Sequence, residues 1–255
     1  MGNPASGVPV RAHQPKILLW DLETFPNLVT SWGLRVDGYL SSDNIVQERT
    51  IICASWKLLG KAGIRSVCVT AAVPVDDRQV VETLHEIVSG VDAVIAHNGD
   101  SFDMRWLNAR IAFHGLTPLP PVIQIDTKKI AKRKFNFNSN KLDYLAKYLQ
   151  VGKKIKTEFD LWKECLAGDE KALAKMVRYN RHDIVILEAV YKKLAPYVPY
   201  HVNQRLFTIR PVCSHCGDSS VQSRGWSYTK ERKYRRYQCQ KCGNWFRDRH
   251  AEKAQ

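Results

Sequence analysis

The sequence predicts an α/β layered domain with a mixed sheet flanked by helices, followed by a small cysteine-stapled module. Three observations carry that expectation. First, Ile17 to Trp20 is an apolar run that ends in Asp21, Leu22 and Glu23, between Pro15 and Pro26, as suits a buried central strand. Second, further strand candidates follow at hairpin spacing, after which short apolar strands alternate with helical stripes. Third, four of the seven cysteines fall in two Cys-x-x-Cys pairs close to the C-terminal end, a pattern that staples modules too small for a core of their own.

Composition sets the bounds. The chain has 255 residues, 44% of them hydrophobic, enough for one medium core plus a module. Its formal charge is +14, which suggests a polyanionic partner, most often nucleic acid. From Arg205 to Gln255 there are 12 Lys and Arg against 4 Asp and Glu, or +8, while the first 204 residues carry 27 minus 21, or +6. Positive charge is therefore densest in the C-terminal tail. No apolar run reaches the length of a membrane span, and the first residues lack an apolar leader. A cytoplasmic, reducing setting is expected, with nucleoid association or a phage-encoded origin in a bacterial host both compatible.

Residues 1–15 hold three prolines and little pattern, so a loose lead-in is expected. After the first strand, Leu28 to Val36 is expected to return as a second. Gly38 to Arg49 reads as a loop, Thr50 to Leu58 as a third strand, and Ile64 to Val69 as a fourth after Gly60 and Gly63. Val80, Val81, Leu84, Ile87 and Val88 form a helical stripe behind Asp76 and Asp77, either of which can cap it. Val91 to Ala96 is a short strand, Phe102 to Phe113 a helix, and Val122 to Ile125 a strand leading to Asp126. Leu142 to Leu149 and Glu170 to Leu194 follow as helices, and Pro196 and Pro199 close the last. The expected boundaries are a catalytic-sized domain over 16–200, a linker over 201–210, the cysteine module over 211–250 and a tail over 251–255.

In an extended chain, residues two apart point to the same side. Asp21 and Glu23 therefore converge, and two adjacent carboxylates call for a proton or a cation unless the turn is simply solvated. Asp103 falls at a helix start just after a strand. Tyr179 and Asp183, four apart, share one helical face. Asp126 is a weaker candidate at another strand end, and Asp100 or Ser101 reads equally as a helix cap. Four acidic residues from distant segments can hold two divalent cations. Such ions activate a water and stabilise a leaving oxygen in phosphodiester hydrolysis. Oxygen ligands favour Mg²⁺ or Mn²⁺.

These residues resemble the three motifs of the DEDD 3′–5′ exonucleases, also called DnaQ-like, which have an RNase H-like fold. Asp21, Leu22, Glu23 and Thr24 match the first motif. Asn98 through Phe102 and Asp103 match the second, and Tyr179 to Asp183 match the third in its tyrosine form. The histidine form would need a histidine at position 178, which is Arg178. The resemblance covers residues 16–200 and is nearest to the exonuclease domains of family B DNA polymerases. It implies that Asp21, Glu23 and Asp183 hold one ion, that Asp21 and Asp103 serve a second, and that Tyr179 orients the attacking water. His97, Asp100 and Asp126 are not implied as ligands.

Cys213, Cys216, Cys239 and Cys242 form two Cys-x-x-Cys-Gly knuckles with 22 residues between the inner cysteines. They suit one structural Zn²⁺ in a zinc ribbon, with disulfides as the alternative. Between the knuckles, Arg224, Trp226, Tyr228, Lys230, Arg232, Lys233, Arg235 and Arg236 combine charge with aromatic rings, as nucleic-acid clamps do. A solvated hairpin would carry the same residues. Lys128, Lys129, Lys132 and Arg133 make a second basic stripe that either steers a strand or is simply solvated. The sequence thus leads to a two-metal 3′–5′ exonuclease acting on single-stranded ends, DNA before RNA, and releasing nucleoside 5′-monophosphates. A structure-specific endonuclease and a non-catalytic nucleic-acid adaptor are the alternatives.

Overall fold

The computed structural model describes residues 15–33, 38–70, 76–198, 202–207 and 212–252. The expected lead-in through residue 14, positions 34–36 of the expected second strand, 201 and 208–210 of the linker and 253–255 of the tail lie outside them. The chain divides into two compact units, Ile17–Tyr191 and the remainder.

In the first unit, β1 (Ile17–Thr24) is the middle strand of a five-stranded sheet. Its apolar run needs cover on both faces, and Leu18, Leu19 and Trp20 are all buried. The two-residue β2 (Leu28–Val29) instead pairs with β3 (Ile45–Gln47) in a separate ribbon. Among the described residues no longer second strand forms beside β1. Pro26 turns the chain away, and Thr30, Ser31 and Gly33 offer no apolar alternation to bury. Its place is taken by β4 (Ile51–Leu58), antiparallel to β1, with β5 (Arg65–Cys68) outside it.

Helix α1 (Arg78–Ser89) buries Val80, Val81, Leu84 and Val88 against this sheet. Asp77 does not cap it by its side chain. The carboxylate turns inward, where Arg110 binds it at 2.7 and 2.8 Å, His114 at 2.7 Å and the Ile51 N–H at 2.9 Å. Then β6 (Ala93–Ala96) joins β1 in parallel, α2 (Asp103–Phe113) crosses over, and β7 (Ile123–Asp126) extends the sheet. The order is β5-β4-β1-β6-β7. Three further helices follow: α3 (Thr127–Lys134), α4 (Leu142–Tyr148) and α5 (Asp160–Leu166). The long α6 (Glu170–Leu194) ends in a 3-10 turn, Ala195–Tyr197. This is an RNase H-like mixed sheet flanked by helices.

The second unit contains a three-stranded antiparallel sheet of β8 (Val221–Tyr228), β9 (Lys233–Cys239) and β10 (Trp245–Arg247), in the order β10-β9-β8. The two cysteine knuckles stand at its base, as in a ribbon module. Among the described residues no helix is long and apolar enough to cross a membrane.

Candidate active site

The end of β1 sets the site. A carboxylate oxygen from each of Asp21, Glu23 and Asp183 lies within 4.8 Å of the others. Asp21 and Glu23 reach this position through the two-residue alternation of β1, and Asp183 through its place on α6. Asp103 is drawn to the same strand, since the Leu22 N–H donates to its Oδ1 at 3.0 Å. The turn before it makes that possible. Asn98 takes a left-handed conformation (φ 73°), and its N–H donates to Asp126 Oδ1 at 2.9 Å. A Cβ on Gly99 would lie 2.4 Å from Ala96 Cβ, so only glycine lets the chain pass so close to β6.

The electrostatics match a crowded acidic pocket. Burial, then Asp103, Glu23 and Asp183, push Asp21 well above the usual carboxylate range. Glu23 is pushed up to about 8, by burial first and then by Asp183. Asp103 is raised to about 7 by burial, despite the N–H bonds it accepts. Asp183 is raised as well, again by burial, and Lys154 opposes the rise.

Two partners escaped the sequence reading. Lys154 Nζ sits 2.5 Å from Asp183 Oδ2 and 5.1 Å from the centre of the Tyr179 ring. Asn180 Nδ2 donates to Asp21 Oδ2 at 2.7 Å. Asn180 could have been found, because it is three residues before Asp183 on the same helical face. Lys154 stands in an irregular segment among Lys153 and Lys156, where no periodicity marks it. Tyr179 is buried beside Trp162, and burial followed by Asp183 raises its hydroxyl to about 12, so it stays protonated near neutrality.

The carboxylates fit divalent cations. Asp183 Oδ1 is buried without a hydrogen-bond donor among the described residues, and Lys154 contributes a cation in contact with the cluster. An adjoining recess of about 410 Å³ is lined by Glu23, Phe25, Arg49, Phe102, Phe159 and Trp162, among others.

The remaining candidates have structural partners. Asp126 caps α3, accepting from the Lys128 and Lys129 N–H groups at 2.8 and 3.2 Å. His97 bridges Thr127 Oγ1 and the Asn140 carbonyl, both at 2.9 Å. Asp100 pairs with Lys129, and Lys128 donates to Asn98 Oδ1 at 3.1 Å. Lys132 and Arg133 are exposed.

In the C-terminal unit, Cys213 and Cys242 sulfurs lie 3.7 Å apart, as do those of Cys216 and Cys239. A disulfide needs about 2.05 Å. Thiolates at about 2.3 Å around a tetrahedral ion sit about 3.8 Å apart. All four cysteines form one ligand group. On the sheet, Trp226 is covered by Lys233 and Arg235, at 4.9 and 4.1 Å from its ring centre. Arg224, Tyr228, Lys230, Arg232 and Arg236 are exposed.

No curated protein sequence matches the chain. Among solved structures, the family B DNA polymerase from the hyperthermophilic archaeon Pyrobaculum calidifontis is similar, with a TM-score of 0.53 and 15% identity. The match covers 87% of this chain and 32% of the polymerase, so this chain spans about a third of that protein, and the likeness is one of fold. The family RNase_H_2, described as RNase_H superfamily, matches residues 48–195, a stretch of 148 residues that includes Asp103, Tyr179 and Asp183. Together with the acidic cluster, this supports a nuclease-type function on a nucleic-acid substrate. With more than half its length matched and an RNase H-like sheet, the chain belongs to the RNase H superfamily.

Proposed function

We propose that the protein is a metal-dependent 3′–5′ exonuclease of the tyrosine form, with single-stranded ends as substrate and DNA preferred over RNA. The observation that carries this reading is the convergence of Asp21, Glu23 and Asp183 within 4.8 Å, one helical turn from the protonated Tyr179. In this reading Asp21, Glu23, Asp103 and Asp183 would hold two Mg²⁺ or Mn²⁺ ions, which would supply acidity to a bound water and charge stabilisation to the leaving oxygen.

The chain's own groups do the positioning. Tyr179, fixed against Trp162 and Lys154, offers its hydroxyl to the attacking water as donor or acceptor. Asn180 holds Asp21 in one rotamer. Lys154 balances part of the negative charge before ions bind. The recess beside Glu23 receives the terminal nucleotide against Phe102, Phe159 and Trp162, with Arg49 at its rim. The water oxygen bonds to phosphorus as the bond to the 3′-oxygen breaks, a proton from the water ends on that 3′-oxygen through solvent, and a nucleoside 5′-monophosphate leaves. The cysteine module, over 211–250, is read as a ribbon closed by one structural Zn²⁺ on Cys213, Cys216, Cys239 and Cys242, with a linker over 201–210. It is read as a grip on the strand.

A 5′-labelled single strand with Mg²⁺ or Mn²⁺ should shorten as a ladder, and Asp21→Ala or Asp183→Ala should abolish it. Undiminished cleavage by both variants refutes the assignment. Tyr179→Phe should slow single-turnover hydrolysis on the order of 10²-fold while leaving metal affinity nearly unchanged. A circular single strand should resist; its cleavage would favour the endonuclease reading.

A further inference from the structure

A cleft of about 380 Å³ lies within the C-terminal unit at β10. Arg205, Arg236, Arg247, Arg249, Trp245 and Phe246 are among its walls. The volume is at the lower end of ligand sites, which run about 300–1,000 Å³, and suits one nucleotide unit. The four arginines face a single lining carboxylate, Asp248, and Arg205 already binds it at 2.9 Å. Three arginines (four minus one) therefore have no carboxylate partner among the described residues.

The register sharpens this. Arg247 on β10 lies directly opposite Arg236 on β9, and Trp245 opposite Gln238. Residues two apart share a face, so Trp245, Arg247 and Arg236 stand on the same side. Like charges directly opposite across a strand pair are destabilising, and an anion between them removes that penalty. Both guanidinium groups are also held in place. Arg236 Nε donates to the Arg224 carbonyl at 3.0 Å and the group stacks 5.1 Å from the Trp245 ring, while Arg247 stacks 4.2 Å from that of Tyr234. Trp245 is 44% exposed. Trp226 carries two cations on its ring, Lys233 and Arg235, where Trp245 carries Arg236.

We propose that this cleft binds one phosphate–base unit of a single-stranded nucleic acid, with the phosphate between Arg236 and Arg247 and the base stacked on Trp245. The inference rests on the reading of the protein as acting on nucleic-acid strands, and it assigns the grip to β10 and its neighbours. A duplex fits poorly, because its bases are already stacked on one another.

The test is binding of a fluorescein-labelled oligothymidylate to the full chain, read by anisotropy over a salt series without added Mg²⁺ or Mn²⁺. Trp245→Ala should weaken binding about tenfold, and Trp245→Phe, which keeps a ring, should retain most of the affinity. The pair Arg236→Gln and Arg247→Gln should lower the salt slope by roughly 1. The pair Lys171→Gln and Lys175→Gln, which removes equal charge from α6, should change binding far less. Zinc content and melting confirm that each variant is folded. Wild-type binding by both cleft variants, equal weakening by the α6 pair, or Trp245→Phe as weak as Trp245→Ala would each overturn the proposal. No cleavage is read, so an inactive nuclease would leave a positive binding result standing. An active nuclease with unaltered cleft variants would refute the cleft alone.

Discussion

Replacing Glu23 by Gln should stabilise the metal-free protein while destroying its hydrolytic activity. Glu23 is held at about 8 in the folded chain against an ordinary 4.5, by burial and then by Asp183. Between those two values the folded state binds more protons than the unfolded one, so stability falls as pH rises through that window. At pH 7 the cost is roughly 3 kcal/mol for a fully buried group. Glu23 is only partly shielded from solvent, which trims the figure to about 2 kcal/mol. Gln keeps the shape without the charge, so Glu23→Gln should raise the melting temperature by about 4–8 °C at pH 7 or above. Near pH 4.5 the gain should shrink to a small fraction, because Glu23 is then protonated in the folded chain and half protonated in the unfolded one. Mn²⁺ should narrow the difference by stabilising only the wild type strongly. Thermal melts of both proteins at pH 4.5, 6 and 8, with and without Mn²⁺, measure all of this. A gain independent of pH, or none at pH 8, would refute the idea that crowded carboxylates store this energy.

Three further outcomes are expected. Gly99→Ala should destabilise the chain by about 1–3 kcal/mol and weaken metal binding, because its Cβ would meet Ala96 at 2.4 Å and push Asp103 from its bond to Leu22; unchanged melting and Mn²⁺ titration would contradict this. Arg110→Met should cost about 3–5 kcal/mol near neutral pH by leaving the buried Asp77 without its bidentate partner. Burial alone would raise Asp77, but its bonds to Arg110, the Ile51 N–H and His114 hold it below the usual carboxylate range. That stability is present above the ordinary value of 3.8 and is lost as pH falls, so denaturant melts of the variant should show less loss in acid than those of the wild type. If the four cysteines hold the proposed Zn²⁺, Cys239→Ser should lose it and melt the C-terminal unit, while near-ultraviolet circular dichroism from Trp20 and Trp56 in the first unit persists; wild-type zinc by elemental analysis would count against the site.

Much of the site was legible because short-range geometry writes it. Asp21 and Glu23 share a side by strand alternation, and Tyr179 and Asp183 share a face by helical period. The four cysteines announce themselves by spacing. Other residues carried no such mark. Asp77 reads as a helix cap, and only the approach of Arg110 and His114 from α2 and its C-terminal end takes it into the core. Leu28 onward reads as a strand by composition, yet among the described residues only Leu28 and Val29 pair, with β3 and not with β1. Lys154 is one of several lysines in an irregular segment, and only its reach to Asp183 sets it apart. Trp245 and Arg247 read as a continuation of the basic, aromatic run, and only their register against β9 brings two arginines face to face.

By itself, then, the sequence determined which residues alternate, which share a helical face, where chain direction must change and which cysteines belong together, since all of these depend on covalent spacing. Tertiary structure alone decided that β4 pairs antiparallel and β6 parallel with β1, and so that Asp103 and Asp183 meet Asp21 and Glu23. Contacts between residues 80 and 160 positions apart depend on strand register and on which faces bury together, and no local period encodes either. The same holds for the arginine cleft, where the chemistry arises from a pairing across strands.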